Sequence, residues 1–239
     1  MQVTHTAQVV SSTFVSKGIL LITCKLLKPT VLDFKAGQYL AVFLPDDEDK
    51  QSYYSIASSP NLANHIELLV KEDTLGAGAN YLFSLKAGDE ARFAMPMGEA
   101  FLREESRHNI VFVAGASGAS YVRSMIHYLD ETNQLLDREV YYFLGAQEED
   151  ELLEVEPMVA LAAKYANFHF IPALSGAVTW EGETGLITEV IDRLMTNDLK
   201  HWDVYSAGSS AMVEAVADVL IDKKGLQAKQ FYSDFYSPE

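Results

Sequence analysis

Two tyrosines and a serine stand side by side in a short stretch that is typical of a ligand-facing strand. Residues 49–60 read DKQSYYSIASSP, so that Tyr53, Tyr54 and Ser55 follow a polar, acidic approach. Aromatic faces pack on planar rings, and a hydroxyl can donate or accept a hydrogen bond. The stretch therefore predicts a site for a planar ligand, although no arginine stands beside the tyrosines to bind a phosphate.

Two turns rich in small residues could bind a nucleotide. The first is Gly115, Ala116, Ser117 and Gly118, between an apolar strand-like run and a helix-like run, and the second is "SAGSSAM" at residues 206–212. Such turns let backbone N–H groups approach a pyrophosphate at a helix N-terminus. Alone, the first turn is equally explained by close packing, and the second is better explained by Ser209 or Ser210 as a helix N-cap. Together, at one end of a parallel sheet, they predict a dinucleotide crevice.

An acidic loop, "LGAQEEDELL" at residues 144–153, follows the second strand of the predicted parallel sheet. In dinucleotide sites this region meets the adenosine ribose. The loop carries four carboxylates and no cation, which is also the composition of an ordinary solvated surface. If a nucleotide binds here, these charges disfavour a 2′-phosphate and favour NADH over NADPH.

The chain shows two textures, which predict two domains. Up to about Arg103, short apolar runs separated by turn signals predict a small antiparallel β-barrel, with "GAGANYLFSL" as a capping helix. From His108 onward, strand-like and helix-like runs alternate, which predicts an α/β domain with a parallel sheet. The expected boundary lies in "LREESRH", giving domains 1–104 and 105–239. The C-terminal "QFYSDFYSPE" could complete the sheet or stack on a planar ring.

Composition excludes several classes of function. The chain has 34 acidic and 18 basic side chains and a formal charge of -16, which disfavours nucleic acid and anionic membranes as partners. Cys24 is the only cysteine, so a disulfide framework, a thiolate zinc site and an iron–sulfur cluster within this chain are excluded. The six histidines have no metal-ligand spacing, and none is placed as a base for a hydrolase. No signal peptide or membrane span is evident, so we expect a cytoplasmic protein.

The order of segments resembles the ferredoxin–NADP reductase superfamily, and most closely its bacterial NAD(P)H–flavin oxidoreductases. The series that carries the resemblance is AGQYLAVFLP, YSIASSP, MPMGEAFL, AGASGASYVRSM, WEGETGLI, SAGSSAM and SDFY, which runs through essentially the whole chain. The resemblance implies a flavin-binding barrel followed by a Rossmann-like domain that binds NAD(P)H.

The family's R-x-Y-S segment implies roles for the residues of the opening stretch. Tyr54 would pack on the flavin ring and Ser55 would lie near flavin N5, as the catalytic residue, but the arginine position is Ser52. The phosphate-binding G-x-x-S segment resembles Gly76 to Ala79, where the serine is also absent. A charge-assisted hydrogen bond contributes about 1.5–3 kcal/mol, so each loss weakens flavin binding about ten- to a hundredfold. The implied flavin-binding residues are Ser52, Tyr53, Tyr54, Ser55, Ile56, Leu69, Val70, Lys71, Gly76, Phe235 and Tyr236.

The family's nucleotide segments also have counterparts. Its G-G-T-G loop is matched by residues 115–118, and its C-G-P-x-x-M segment resembles residues 207–212 without the cysteine. The terminal aromatic that shields the flavin would be Phe235 or Tyr236. The implied nucleotide-binding residues are Gly115, Ala116, Ser117, Gly118, Ala146, Gln147, Ala207, Gly208, Ser209 and Met212.

The leading hypothesis is an NADH-preferring flavin reductase, in which hydride passes from nicotinamide C4 to N5 of a loosely bound flavin in the cleft between the domains. Its cofactors are NADH or NADPH and a flavin (FMN, riboflavin or FAD). The first alternative is a reductase component that carries FAD and passes electrons to a protein acceptor. The second is a reductase-like fold that has lost catalysis and serves as a binding module, since Ser52, Ala79, Ala116 and Ala207 depart from the family pattern.

Overall fold

The computed structural model describes residues 2–31, 33–45, 47–72, 76–176, 180–196 and 198–236. For residues 47–49 and 117 it describes the backbone only. The chain forms two compact units. The first comprises Met1–Leu102 with Arg123–Tyr128, and the second comprises Arg103–Val122 with Leu129–Glu239.

The first unit is a six-stranded antiparallel sheet with one helix. Its elements are β1 (Val3–Ser16), β2 (Ile19–Lys28), β3 (Tyr39–Leu44), β4 (Asp47–Ser55), β5 (His65–Lys71), α1 (Ala77–Ser84) and β6 (Glu90–Met97). The strands lie in the order β4-β3-β6-β1-β2-β5, so β4 and β5 are the edges. Just after β4, the backbone N–H of Ala57 donates to the carbonyl of Glu67 on β5 at 2.8 Å, which joins the two edges at one end. The predicted antiparallel first half is confirmed.

Alternating apolar residues build the core of this unit. On β2, Leu20, Ile22, Cys24 and Leu26 are all buried, whereas the residues between them are more exposed, as period-two geometry requires. The composition of "PDDEDK" (residues 45–50) predicts a break between two strands, and this prediction was wrong: most of the run lies in β4, which begins at Asp47. An edge strand tolerates such a run because its backbone ladder pairs with a single neighbour, and charged residues there discourage edge-to-edge pairing.

The second unit is a parallel sheet with helices between its strands, as predicted. The strands are β7 (Asn109–Gly115), β8 (Val140–Ala146), β9 (Phe168–Leu174), β10 (Glu183–Thr184), β11 (Trp202–Ala207) and β12 (Phe231–Tyr232). Their order is β10-β9-β8-β7-β11-β12, and every pairing is parallel. The helices are α2 (Ala119–Glu131), α3 (Val155–Lys164), α4 (Ile187–Leu194) and α5 (Ser210–Asp218). Of these, α2 is divided, because its residues Arg123–Tyr128 belong to the first unit.

The central strands of this sheet are almost continuously apolar. On β7 all five residues from Ile110 to Ala114 are buried, which is the pattern of a parallel strand covered on both faces. The pairings Ala114↔Ala207 and Gly115↔Gly145 align the carboxyl ends of β7, β8 and β11 at one edge of the sheet. That edge is where open α/β sheets bind ligands. Within the described ranges, no helix is long and apolar enough to cross a membrane.

Candidate functional site

The predicted ligand-facing residues of the first unit lie at the end of edge strand β4. Ser55 pairs with Tyr39 of β3, and Tyr54 pairs with Leu40. Tyr54 packs against the buried core of the unit, whereas Tyr53 is 60% exposed and meets the ring of Tyr39 edge-on. Since successive side chains of a strand point to opposite faces, Tyr54 and Ser55 flank the strand from its two sides. The two tyrosines therefore do not form one continuous platform.

The start of helix α1 packs directly onto β4. A β-carbon added to Gly78 would stand 2.3 Å from the Oγ of Ser52 and 3.0 Å from the phenol oxygen of Tyr54. Because carbon atoms in van der Waals contact are about 3.5–4.0 Å from their neighbours, this position accepts only glycine without a shift. Ser52, where the resemblance expects arginine, thus faces the first turn of the helix. Gly76 precedes this turn as an N-cap with no side-chain hydrogen bond.

Three predicted flavin contacts are largely buried in the core. Ile56 and Val70 are fully buried, and Leu69 is nearly so. Lys71, at the end of β5, is exposed. Ile56 and Val70 belong to the apolar cluster against which Tyr54 packs, so neither presents exposed surface to a ligand.

A network that the sequence reading missed holds the chain just after Ser55. One guanidinium nitrogen of Arg123, Nη1, donates to the carbonyl of Ala57 and to a carboxylate oxygen of Glu67, both at 2.7 Å. The neighbouring Ser124 hydroxyl donates to the carbonyl of Ser58 at 2.7 Å. The signal was an arginine as the only charged residue in the run "SYVRSMI" of α2, since such a charge is rarely buried without a partner.

In the second unit, the two predicted turns are in contact. A β-carbon added to Gly118 would stand 2.1 Å from the carbonyl oxygen of Ala207. One added to Gly115 would lie 3.7 Å from the Cα of Gly208 and 3.3 Å from the Sδ of Met212. The short 3-10 turn Ala116–Gly118 leads directly into α2. Ser117 was also predicted to bind the nucleotide, but its side chain lies outside the described part of the chain.

The second turn opens helix α5 with a capped N-terminus. Ser209 is the N-cap, and its hydroxyl accepts a hydrogen bond from the backbone N–H of Met212 at 3.3 Å. Gly208 has a φ of +157°, a conformation that favours glycine. The capping role considered for Ser209 is therefore observed, and it places the start of α5 beside Gly115.

The acidic loop after β8 is organised by one of its own carboxylates. Glu151 accepts hydrogen bonds from the backbone N–H groups of Gln147 at 3.0 Å and Glu148 at 3.3 Å. The carbonyls of Ala146 and Gln147 accept hydrogen bonds from residues 175 and 176. Glu149 and Asp150 remain exposed. Negative charge therefore lies beside the predicted adenosine-binding residues Ala146 and Gln147.

The two candidate terminal aromatics have different surroundings. The Tyr236 ring packs edge-on against Phe231 at 4.9 Å between centroids and joins the core of the second unit. Phe235 is 61% exposed. Of the two, Phe235 is the ring that is free of core packing.

Each half of the chain matches a domain family of flavin- and nicotinamide-dependent oxidoreductases. Residues 6–101 match the oxidoreductase FAD-binding domain family, and residues 112–218 match the oxidoreductase NAD-binding domain family. The chain is 31% identical over 212 residues to a probable flavin reductase of Photobacterium leiognathi, covering 86% of this chain and 87% of that protein. It is 30% identical over 216 residues to the NAD(P)H-flavin reductase of Vibrio harveyi, with 85% and 87% coverage. The chain belongs to the flavin reductase family of the ferredoxin–NADP reductase superfamily.

Other similar proteins are longer than this chain. The anthranilate 1,2-dioxygenase electron transfer component of Acinetobacter baylyi is 32% identical over 205 residues, covering 85% of this chain but 58% of that protein. Among solved structures, Amycolatopsis cytochrome P450 reductase aligns with a TM-score of 0.87 at 22% identity, over 99% of this chain and 71% of that one. At this identity the structural likeness shows the fold alone.

The family membership confirms the expected enzyme class, an NAD(P)H-dependent flavin oxidoreductase that uses a nicotinamide nucleotide and a flavin. The residues present suit both groups. Glycine at 115, 118 and 208 lets the two turns pack closely, and α2 and α5 begin beside them. Helix N-termini at the carboxyl edge of a parallel sheet suit a pyrophosphate. On β4, the Tyr54 ring and the Ser55 hydroxyl lie at an edge of the sheet. This pair suits the isoalloxazine ring of a flavin better than its phosphate tail.

Proposed function

We propose that this flavin reductase prefers NADH and reduces a flavin that it binds loosely and releases. The flavin binds within residues 1–104, at Tyr54 and Ser55, and NADH binds within residues 105–239, at the turns 115–118 and 207–212. When both are bound, hydride passes from nicotinamide C4 to flavin N5 and a solvent proton completes the reduced flavin. The protein's share is alignment of the two rings.

The observation that carries the proposal is the contact between Ser52 and Gly78. A serine hydroxyl packed against a helix start takes the place of the expected arginine, and Ala79, in the place of the expected serine, is buried in the core. Ser52 carries no positive charge and the Ala79 side chain has no hydrogen-bond donor, so neither replaces the phosphate contact that the family's arginine or serine would make. Since each such bond contributes about 1.5–3 kcal/mol, the flavin tail adds little affinity, and the ring alone must be recognised.

Ser55 is suited to orient the flavin ring. Within the described parts of the chain, its hydroxyl has no hydrogen-bonding partner, so the group is available to a ligand atom such as flavin N5. Tyr54 is half-buried on the other side of the same edge strand. A planar ring lying along that edge can contact both residues.

The preference for NADH rests on the loop after β8. Its exposed carboxylates, Glu149 and Asp150, are accompanied by no lysine or arginine between residues 144 and 153. The 2′-phosphate of NADPH would be repelled here, whereas NADH carries no charge at that position.

Steady-state oxidation of NADH with riboflavin, FMN or FAD as the sole acceptor tests this function. All three flavins share the isoalloxazine ring, and under ring-only recognition the phosphates of FMN and FAD add little affinity. We therefore expect kcat/KM values within about tenfold of one another. A preference for FAD well beyond that factor would contradict ring-only recognition. The absence of flavin-dependent NADH oxidation would contradict the function itself.

A second candidate function is favoured by the likeness to the dioxygenase electron transfer component. In that case the chain retains FAD and passes electrons to a protein acceptor. The purified protein would then be yellow, with FAD near one equivalent, and its electron transfer to an added acceptor protein would not require free flavin. A protein that binds flavin and NADH without turnover would instead be a binding module.

A further inference from the structure

The segment that follows Ser55 is buried although it is irregular. Residues 56–59 are all buried, and two of their N–H groups have backbone partners. Ile56 donates to the carbonyl of Gln38, just before β3, at 3.0 Å, and Ala57 donates to that of Glu67 on β5 at 2.8 Å. The carbonyls of buried, irregular backbone need partners as well, because an unpaired polar group in the interior is costly.

Those carbonyl partners come from one turn of helix α2. Arg123 binds the carbonyl of Ala57, and Ser124 binds the carbonyl of Ser58. Arg123 is only 9% exposed and its charge is balanced by Glu67. The backbone N–H of Glu67 also donates to the Ser58 hydroxyl at 3.2 Å. The segment is thus tied to β5 and to α2 at the same place.

We propose that Arg123 is a positioning residue for the flavin reductase reaction, and that it acts by fixing the backbone next to Ser55. Ser55 is the last residue of an edge strand, so only β3 pairs with it on the sheet. Two residues later, the bond from Arg123 to Ala57 fixes where the strand leaves the sheet. This proposal rests on the proposed function, in which the Ser55 hydroxyl orients the flavin.

An arginine suits this task better than a lysine. Nη1 donates to both the Ala57 carbonyl and the Glu67 carboxylate. The planar guanidinium fixes where this nitrogen lies, whereas the ammonium group of a lysine sits on a shorter, flexible stem and would not hold the same place. Arg123→Lys therefore keeps the charge that balances Glu67 but weakens the hydrogen bond to the Ala57 carbonyl. Ser124→Ala removes one hydrogen bond and leaves the charges untouched.

The experiment compares kcat, the KM for NADH and the primary isotope effect of 4-deuterated NADH, with riboflavin as acceptor, in the wild type, Arg123→Lys and Ser124→Ala. Arg193→Lys is the matched control, because Arg193 pairs with Glu183 at the exposed surface of the second unit. For Arg123→Lys we expect kcat to fall about tenfold or more, since small displacements of an orienting group cost that much. The KM for NADH should stay unchanged and the isotope effect on kcat should increase.

Ser124→Ala should lie between the wild type and Arg123→Lys, and Arg193→Lys should match the wild type. If folded Arg123→Lys and Ser124→Ala both keep the wild-type kcat and isotope effect, Arg123 is a structural anchor and the positioning proposal is wrong. If Arg123→Lys does not fold, Ser124→Ala alone tests the proposal: wild-type values of kcat and the isotope effect in this variant would show that the proposal is wrong. An inactive wild type would instead overturn the proposed function on which this one rests.

Discussion

Ser52 on β4 and Gly78 on α1 are in such close contact that a β-carbon on the glycine would stand 2.3 Å from the serine Oγ. The two residues are far apart in sequence, and neither has an evident role alone. The family resemblance expects a phosphate-binding arginine at position 52, where this chain has a short serine side chain packed against the start of α1. Under the proposed function, this contact explains why the flavin is recognised by its ring.

Gly78→Ala should weaken flavin binding. Alanine is the better helix former, so any loss must come from the clash with Ser52 and Tyr54, and overpacking of this kind costs about 1–3 kcal/mol. We expect the KM for riboflavin to rise and the melting temperature to fall. The double variant Gly78→Ala with Ser52→Gly removes the clashing side chain and should recover most of both losses. Failure of this rescue would contradict the packing described here.

Ser52→Arg should create a preference for phosphorylated flavins. A guanidinium that reaches the flavin phosphate would add a charge-assisted hydrogen bond of about 1.5–3 kcal/mol, so the dissociation constant of FMN should fall about tenfold or more while that of riboflavin stays the same. Ser52→Met, of similar reach but uncharged, is the control and should bind the two flavins alike. Flavin titration followed by fluorescence measures both constants. An equal effect of arginine on riboflavin and FMN would place the phosphate elsewhere.

Glu149→Lys should reduce the discrimination against NADPH. The substitution replaces an exposed carboxylate of the loop after β8 by a cation, which would attract a 2′-phosphate. We expect the ratio of kcat/KM for NADH to that for NADPH to fall several-fold, and the change to shrink at high salt. Glu139→Lys makes the same charge change at the other end of β8 and should leave the ratio unchanged. Equal effects of the two variants would mean that the loop does not meet the ribose.

Stability should decrease in alkali because of buried tyrosines in the second unit. Burial raises the pKa of Tyr121, Tyr142 and Tyr205 above the ordinary value near 10. Below that value the hydroxyls are protonated in both states and their contribution to stability is complete. Above it only the unfolded chain releases the protons, so stability is lost as pH rises, by up to about 1.4 kcal/mol per pH unit for each tyrosine.

Urea unfolding between pH 8 and pH 11 measures this effect. Tyr142→Phe serves as the comparison, because it removes one titrating group while keeping the buried ring. The variant should lose stability less steeply with pH than the wild type. A wild-type stability that stays constant to pH 11 would contradict the burial of these hydroxyls.

Local patterns made the order of elements predictable. The apolar alternation of β2 and the continuous apolar run of β7 reflect burial on one face or on two, and each follows from its own residues. The contact between the 115–118 and 207–212 turns was also predictable, because the carboxyl ends of neighbouring parallel strands meet at one edge. These inferences needed no knowledge of side-chain packing.

The remainder of the site depends on packing between segments far apart in sequence. Nothing in "GAGA" or "QSYYS" indicates that Gly78 packs against Ser52. Tyr53 and Tyr54 are adjacent in sequence, but strand geometry puts their side chains on opposite faces of the sheet. The position of Arg123 in a largely buried helix indicates that it needs a partner, but only the structure shows that the partners are the Ala57 carbonyl and Glu67. Likewise, the Tyr236 ring packs against Phe231 whereas the Phe235 ring is exposed, and the sequence does not distinguish the two.

The most direct test is whether turnover requires free flavin. The purified protein is passed through a gel-filtration column, its visible spectrum is recorded, and NADH oxidation is followed as riboflavin is added. A colourless protein whose rate rises hyperbolically with riboflavin is the predicted result. A yellow protein that oxidises NADH at the same rate without added flavin would contradict the account.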